Sequence, residues 1–463
     1  LVHGGLRYLK NAQIRLTFES VRERERLIHE ARGLVIPLGC LIANFVGDRP
    51  PGWVFGAGLA LYDLLALRWG HQHYSPRKLK MLCPPLSDLR LEGGFRYVDA
   101  QTDDARLVYR VIREAERAGG LALNYARAET LLRNHAGQVC GLVVRDAAGP
   151  EGQTAEARAP VVINATGIWA DQLRAQVNGQ RRLRPLRGSH LLFAWERLPI
   201  TRAVSFLHPR DHRPVFALPW EGVTIYGTTD VDHSTDLNTE PAISGLEVEY
   251  LLEGVRYAFP RQELTAAHVF ATLAGARPVV DTGNPDPSKE SREHVLWDES
   301  GLLTVSGGKL TTFRLMARQA LKHIRARLPH RADWHPHSRL IEAPPEITSD
   351  LNAVWLWRLA GRYGADAAPL VEAAQPSDLA SIGDSVALWA ELRWAARAER
   401  VVHLDDLLLR RVRLGLMLPR GGLDLIEAIR AVAQPELGWG DAHWHTEAAR
   451  YAERWQAAYG PAG

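Results

Sequence analysis

Cysteine is scarce. Three occur in 463 residues, Cys40, Cys83 and Cys140, far apart and in no C-x-x-C pair. That excludes a disulfide framework and a cysteine-built zinc site, and it fits a reducing cytoplasm. Lysine is scarce too: six stand against 50 arginines, so each lysine retained is a position to question. Long apolar runs are missing. The most membrane-like stretch, WVFGAGLALYDLLALRWG at 53–70, is broken by Asp63 and Arg68 and is barely long enough to span. It reads as a buried helix, with a surface dipping into a bilayer interface as the alternative. Strong charge of one sign is also absent, at a formal +3, which argues against a nucleic-acid partner. No G-x-G-x-x-G follows a strand and opens a helix; the clusters FGAG and EGGF have the wrong context. Three His-x-His pairs, His71/His73, His335/His337 and His443/His445, lack further ligands in a recognisable pattern, so no metal site is expected.

What is present is an ordinary globular composition, 46% hydrophobic and 24% charged, long enough for two or three domains. DARLVYRVIREAER at 104–117 has helical spacing, with Asp103 or Asp104 as N-cap and Gly119-Gly120 as the stop. LALNYARAETLL and GQVCGLVVRD read as strands joined by the turn NHAG, and APVVINATG reads as a buried strand running into a turn. That order fits part of a nucleotide-binding α/β domain. RGSHLLFAW, AVSFLH, PVFALPW and GVTIYGTTD, within 186–230, predict an antiparallel sheet, and 240–262 a helix. The strand GLLTVS, Gly307-Gly308 and a helix from Lys309 then restore the α/β pattern. Beyond residue 346 strand signals nearly vanish, and LDDLLLRRVRLGLML reads as a helix with acids first and arginines later. The fold class is therefore α/β with interleaved layers and a C-terminal helical domain.

The strongest chemical signal is VSGGKLTTFR at 305–314. A strand end, two glycines and a helix start expose unpaired N–H groups, a site for an anion or an electron-rich ring edge, with Lys309 adding a full charge. INATGIWAD at 163–171 ends a strand at small residues, where a ligand can approach the backbone. His190 is either a hydrogen-bonded strand residue or an acid–base group. Arg277 is either half of a structural ion pair or a clamp on phosphate or carboxylate.

VHGGLRYL, DDARLV, INATGIWAD, RGSHLL, IYGTTD, GARPVV and VSGGKLTTFR occur in one order, and together they resemble the FAD-dependent glycerol-3-phosphate dehydrogenases, within the D-amino-acid-oxidase-like flavoproteins. The resemblance implies FAD as cofactor and oxidation of glycerol 3-phosphate to dihydroxyacetone phosphate. It also implies electron delivery to a quinone at the inner face of the cytoplasmic membrane, to which the protein attaches peripherally. A homodimer is compatible with it. Arg7, Tyr8, His190, Arg277, Lys309 and Thr311 would bind substrate, with His190, Arg277 and Lys309 catalytic. His3, Gly4, Gly5, Ala165, Thr166, Gly167, Gly307, Gly308, Lys309, Leu310 and Thr311 would meet the cofactor. A FAD-binding Rossmann-like domain would comprise 1–9, 100–175 and 295–330, a substrate domain 10–99 and 176–294, and a helical domain 345–463. The first βαβ unit of that family, which carries the diphosphate turn, has no counterpart here. The chain is therefore expected to be an N-terminally truncated fragment, to bind FAD poorly and to be inactive by itself. A glycerophosphate oxidase passing electrons to oxygen, or a non-catalytic remnant, are the alternatives.

Overall fold

The computed structural model describes residues 1–5, 14–66, 70–149, 152–285, 290, 293–329 and 338–461. Arg7, Tyr8, His335 and His337 lie outside them.

The chain proceeds through helix α1 (Ile14–Glu30), strand β1 (Val35–Phe45), α2 (Gly52–Ala66), β2 (Gln72–Tyr74), α3 (Pro76–Leu82), β3 (Leu91–Thr102) and α4 (Asp104–Arg117). A three-stranded meander follows: β4 (Ala126–Arg133), β5 (Val139–Asp146) and β6 (Thr154–Arg158). After β7 (Val162–Asn164) and the short α5 (Ala170–Ala175) come β8 (Leu183–Ala194), β9 (Ala203–Leu207), β10 (Pro214–Trp220), β11 (Val223–Gly227) and β12 (Val231–Asp232). Helix α6 (Gly245–Ala258) leads to β13 (Val269–Val280), and β14 (Val295–Glu299) and β15 (Leu302–Ser306) lead to α7 (Phe313–Ile324). The remaining helices include α8 (Ala353–Tyr363), α9 (Ala367–Glu372), α10 (Trp389–Ala398), α11 (Leu414–Met417), α12 (Ile426–Leu437) and α13 (Asp441–Ala458).

Three sheets result. The largest has nine strands, ordered β12-β8-β11-β10-β9-β1-β3-β2 with β13 also on β8. Its pairings are antiparallel except β1 with β9. Alternation sends Leu191, Phe193, Val204, Phe206, Val215 and Ala217 to one face, where α6 covers them with Leu251, Leu252 and Val255. The C-terminal helices build their own core around Leu404, Leu407, Trp444, Tyr451 and Trp455, and it is continuous with Leu192, Trp220, Val223 and Ala271 of the sheet. The third sheet, β14-β15-β7, is small, with β7 and β15 parallel.

Helix α4 forms for the reasons its sequence suggests. The Asp103 side chain accepts from Arg106 N–H as N-cap, and Gly119 takes a left-handed φ of 92° beyond the end. Its polar face is tied to the C-terminal helices. Buried Arg106 donates to both carboxylate oxygens of Glu399, at 2.6 and 2.8 Å, and Arg362 donates to Asp103 at 2.7 Å. Burial pushes the Asp103 carboxyl up, but Arg413, Arg362 and Arg106 outweigh it and hold the group below its ordinary value.

Three expectations change. Over its described residues the stretch 53–70 is not a buried helix. Helix α2 buries Leu59 and Tyr62, yet Trp53 is 74% exposed and Leu64 64%. Apolar residues surround this helix on all sides, so periodicity could not say which face meets the sheet. LDDLLLRRVRLGLML is not one helix either. It forms a π-helical turn at Asp406–Arg411, breaks at Arg413 (φ 67°) and restarts as α11. Buried Asp405 is claimed by Arg410, Arg450 and Arg454, which draw the segment out of regular winding. Finally, β4 starts at Ala126 rather than near residue 121, leaving Leu121 and Leu123 exposed.

Candidate active site

Because β7 and β15 are parallel, their carboxyl ends open side by side. One delivers the turn Ala165–Thr166–Gly167, the other Gly307–Gly308–Lys309. Asn164 ties them, donating to Thr304 Oγ1 at 3.2 Å and accepting from the Thr166 hydroxyl at 2.7 Å. Gly307 and Gly308 have φ of 71° and 76°, and a Cβ would lie 2.5 Å from the Glu293 carbonyl or 2.4 Å from Met316 Sδ. Only glycine fits both the conformation and the space. Lys309 precedes a tight turn, Leu310–Thr312, which opens α7. Its Nζ lies 3.3 Å from Ser20 Oγ of α1.

The first residues run against this turn. Val2 bridges to Ala100 of β3, and Thr311 Oγ1 donates to the His3 carbonyl at 3.3 Å. Gly4 N–H donates to Asp99 Oδ1 at 3.0 Å, and Gly5 is left-handed with φ 84°. Asp99 also accepts from Tyr62 OH at 2.9 Å and from Arg24 at 2.7 Å. There is no space for a side chain at position 4, where a Cβ would come 2.0 Å from Tyr62 OH. Burial, then Lys309 and Arg24, lower the His3 pKa to about 4 despite the opposing pull of Asp99.

His190 and Arg277 meet on the large sheet. His190 of β8 sits between Gly227 of β11 and Leu273 of β13. Arg277 of β13 lays its guanidinium across Gly188: a Cβ there would come 1.7 Å from Nη2. The same Nη2 donates to Thr228 Oγ1 at 3.0 Å, and Nη1 reaches Asp230 Oδ1 at 3.4 Å. The guanidinium therefore lies two residues along β8 from His190, on the same face. Its side chain remains 32% exposed. Burial first, then the Arg277 charge, lower the His190 pKa to about 4, so the imidazole is neutral at pH 7. Its Nδ1 is enclosed and has no hydrogen-bond partner among the described residues.

The clusters converge. Leu1, two residues before His3, lies close to His190. The turn Gly167–Trp169 packs on β13, the strand that carries Arg277. Arg7 and Tyr8 fall outside the described residues. Sequence reasoning missed Arg24, Tyr62 and Asp99, which come from three separate elements, as well as Ser20, Thr228 and Asp230. The local signals were Asp99, a charge flanked by Val98 and Ala100 in its strand, and the motif IYGTTD, which holds Thr228 and Asp230. Among the described residues no group of histidine, cysteine, aspartate and glutamate gathers to hold a metal, and His71 instead meets Asp63 at 2.8 Å.

The residues fit one half of a flavin dinucleotide. Left-handed glycines at 5, 167, 307 and 308 bring bare backbone to one opening beside Lys309, which suits a planar, electron-rich ring. They do not supply the other half, because the 463 residues contain no glycine-rich strand–turn–helix for a diphosphate.

Comparison with known proteins gives a consistent result. Residues 1–320 match the model of the FAD dependent oxidoreductase family, and residues 305–444 match the C-terminal domain of alpha-glycerophosphate oxidase. The chain is 33% identical to glycerol-3-phosphate dehydrogenase 2 of Mycobacterium tuberculosis, over 99% of this chain and 81% of that protein. It is 31% identical to the aerobic glycerol-3-phosphate dehydrogenase of Staphylococcus haemolyticus, over 89% and 78%. The fold matches the FAD-complexed glycerol-3-phosphate dehydrogenase of Bacillus halodurans with a TM-score of 0.75 at 23% identity, over 95% of this chain and 85% of that one.

Proposed function

The chain belongs to the FAD-dependent oxidoreductases, among the glycerol-3-phosphate dehydrogenases, and from that premise we propose that its site oxidises sn-glycerol 3-phosphate to dihydroxyacetone phosphate and passes the electrons to a quinone. The observation that carries the reading is the Arg277 guanidinium lying across Gly188 beside a neutral, half-buried His190. When bound, FAD would supply the acceptor for the C2 hydride; the protein's residues bind, orient and move the hydroxyl proton. Arg277 and Lys309, with Arg7 and Tyr8, hold the phosphate and hydroxyls. His190 takes the C2 hydroxyl proton as general base, and Arg277 stabilises the developing negative oxygen. His3, Gly4 and Gly5, Ala165 to Gly167, and Gly307 to Thr311 line the ring.

The pH profile tests the base. A histidine held near pKa 4 is already deprotonated at pH 6, so kcat at saturating substrate stays flat from pH 8 to 6 and falls only as pH approaches about 4. An acid limb near 6.5, the ordinary histidine value, contradicts the role. Stability follows the same sign. Below about 6.5 the unfolded chain protonates His3 and His190 before the folded one does, so stability declines as pH falls toward 4.

The C-terminal match to alpha-glycerophosphate oxidase favours a second reading, in which oxygen is the acceptor. Parallel assays of quinone reduction and peroxide production separate them. Quinone reduction without stoichiometric peroxide supports the first reading, and peroxide equal to product supports the second.

Among the described residues no helix is long and apolar enough to cross a membrane. We place the membrane contact of a peripheral, cytoplasmic-face enzyme at α2, where Trp53, Ala57, Leu61 and Leu64 are exposed at one-per-turn spacing. Charging it by Leu61→Asp with Leu64→Asp releases the protein from anionic lipid vesicles in a flotation assay. Unchanged flotation contradicts that surface.

A further inference from the structure

Glu247 is buried at the N-terminus of α6, on the face of the large sheet opposite His190, and five donor groups converge on it. Two are the N–H and hydroxyl of Ser244, which form a helix capping box with it. A cap needs no more than that. The other three come from β8 and the segment after β11: Arg187 at 2.6 Å, Ser189 Oγ at 2.8 Å and Thr229 Oγ1 at 2.7 Å.

Those contacts lead to the site. Ser189 adjoins His190. Thr229 Oγ1 also accepts from Ser189 N–H at 2.9 Å, which pins the segment after β11 to β8. On one side of Thr229, Thr228 Oγ1 donates to the Thr229 carbonyl at 3.0 Å and accepts from Arg277. On the other side Asp230, its side chain 1% exposed, faces Arg277 and Arg213. Among the described residues, Thr228 and Asp230, which both contact the Arg277 guanidinium, thus belong to a tripeptide whose central residue is fixed by Glu247.

We propose that Glu247 is a positioning residue for the substrate site, which through Ser189 and Thr229 sets the 228–230 segment on which the Arg277 guanidinium is seated. This rests on the reading of Arg277 as the anion-binding arginine. The carboxylate is suited to the task. Burial pushes its pKa up, but Thr229, Arg187, Ser189 and the Ser244 backbone outweigh this and keep it ionised, an acceptor for every donor around it.

The test uses the full chain with FAD in excess and measures Kd for inorganic phosphate and for sn-glycerol 3-phosphate by calorimetry, alongside Tm. Glu247→Gln and Thr229→Val each weaken both ligands about tenfold, and Thr229→Ser, which keeps the hydroxyl, returns affinity to within about twofold. The His190 ring is titrated by NMR in the same proteins. With Arg277 unseated, the charge that depresses His190 moves away, so its pKa rises from about 4 in Glu247→Gln and Thr229→Val but not in Thr229→Ser. Lower Tm with unchanged affinities and unchanged His190 titration overturns the proposal and leaves Glu247 a helix cap. If Glu247→Gln fails to fold, the Thr229 pair decides, since Thr229 caps no helix. If the unaltered chain binds neither ligand, the reading of Arg277 fails instead, and the His190 titration still decides whether Glu247 places it.

Discussion

Arg277→Ala lowers kcat/KM for sn-glycerol 3-phosphate by about 10³-fold when assayed with FAD in excess, in the range found when a preorganised donor to a developing oxyanion is removed. The guanidinium is positioned before substrate arrives. It lies across Gly188, held by Thr228 and Asp230, with about a third of its side chain still open to a ligand. Arg277→Lys recovers only part of the activity, because an ammonium is a point charge and cannot hold both supports while meeting an anion in a fork. The variants carry a second signature. Arg277 is, after burial, the cause that depresses His190 most. Its loss moves the acid limb of the pH profile upward from about 4, and Arg277→Lys leaves that limb near the wild-type position. A Kd increase with unchanged kcat and an unmoved limb would reduce Arg277 to an anchor for the phosphate.

Arg106→Ala destabilises the fold by about 3–5 kcal/mol, read as the shift of the urea unfolding curve. The size comes less from the pair's attraction than from what is left behind. Arg106 and Glu399 are 2% and 3% exposed at their side chains, and truncating one strands a buried carboxylate with no comparable partner. The double change Arg106→Met with Glu399→Leu recovers most of the loss, since well-packed apolar residues of similar volume often replace a buried pair at little cost. The pair joins α4 to the C-terminal helices alongside Arg362–Asp103, so the single variant also separates unfolding of the C-terminal helices from that of the rest. A shift below about 1 kcal/mol, the scale of an exposed pair, would contradict its burial.

What could be read from the sequence is what local physics decides. Helix α4 was legible because its cap, its apolar spacing and its glycine stop all lie between Asp103 and Gly119. Strands β8 to β11 were legible because alternation and turn residues mark each one. The parallel contacts β1–β9 and β7–β15 were not, because nothing in either strand records a partner more than a hundred residues away. The segment at 406–411 read as an α-helix because its winding depends on Asp405 meeting arginines at 450 and 454. The site divides in the same way. His190, Arg277 and Gly307-Gly308-Lys309 stand in compact motifs, whereas the Arg24–Tyr62–Asp99 cluster under Gly4 exists only once α1, α2 and β3 are assembled. Glu247 drew no reading from the sequence, because Ser189 and Thr229 meet it only once the fold is assembled.

A site that removes the C2 hydrogen of sn-glycerol 3-phosphate must reduce flavin when that substrate is added. The most direct measurement is anaerobic mixing of that substrate with the protein and excess FAD, following flavin absorbance near 450 nm and assaying for dihydroxyacetone phosphate. Bleaching is expected, with one dihydroxyacetone phosphate formed per flavin reduced, slowed when the C2 hydrogen is deuterium and nearly abolished in Arg277→Ala. Flavin that binds the protein yet stays oxidised in the presence of substrate would contradict it.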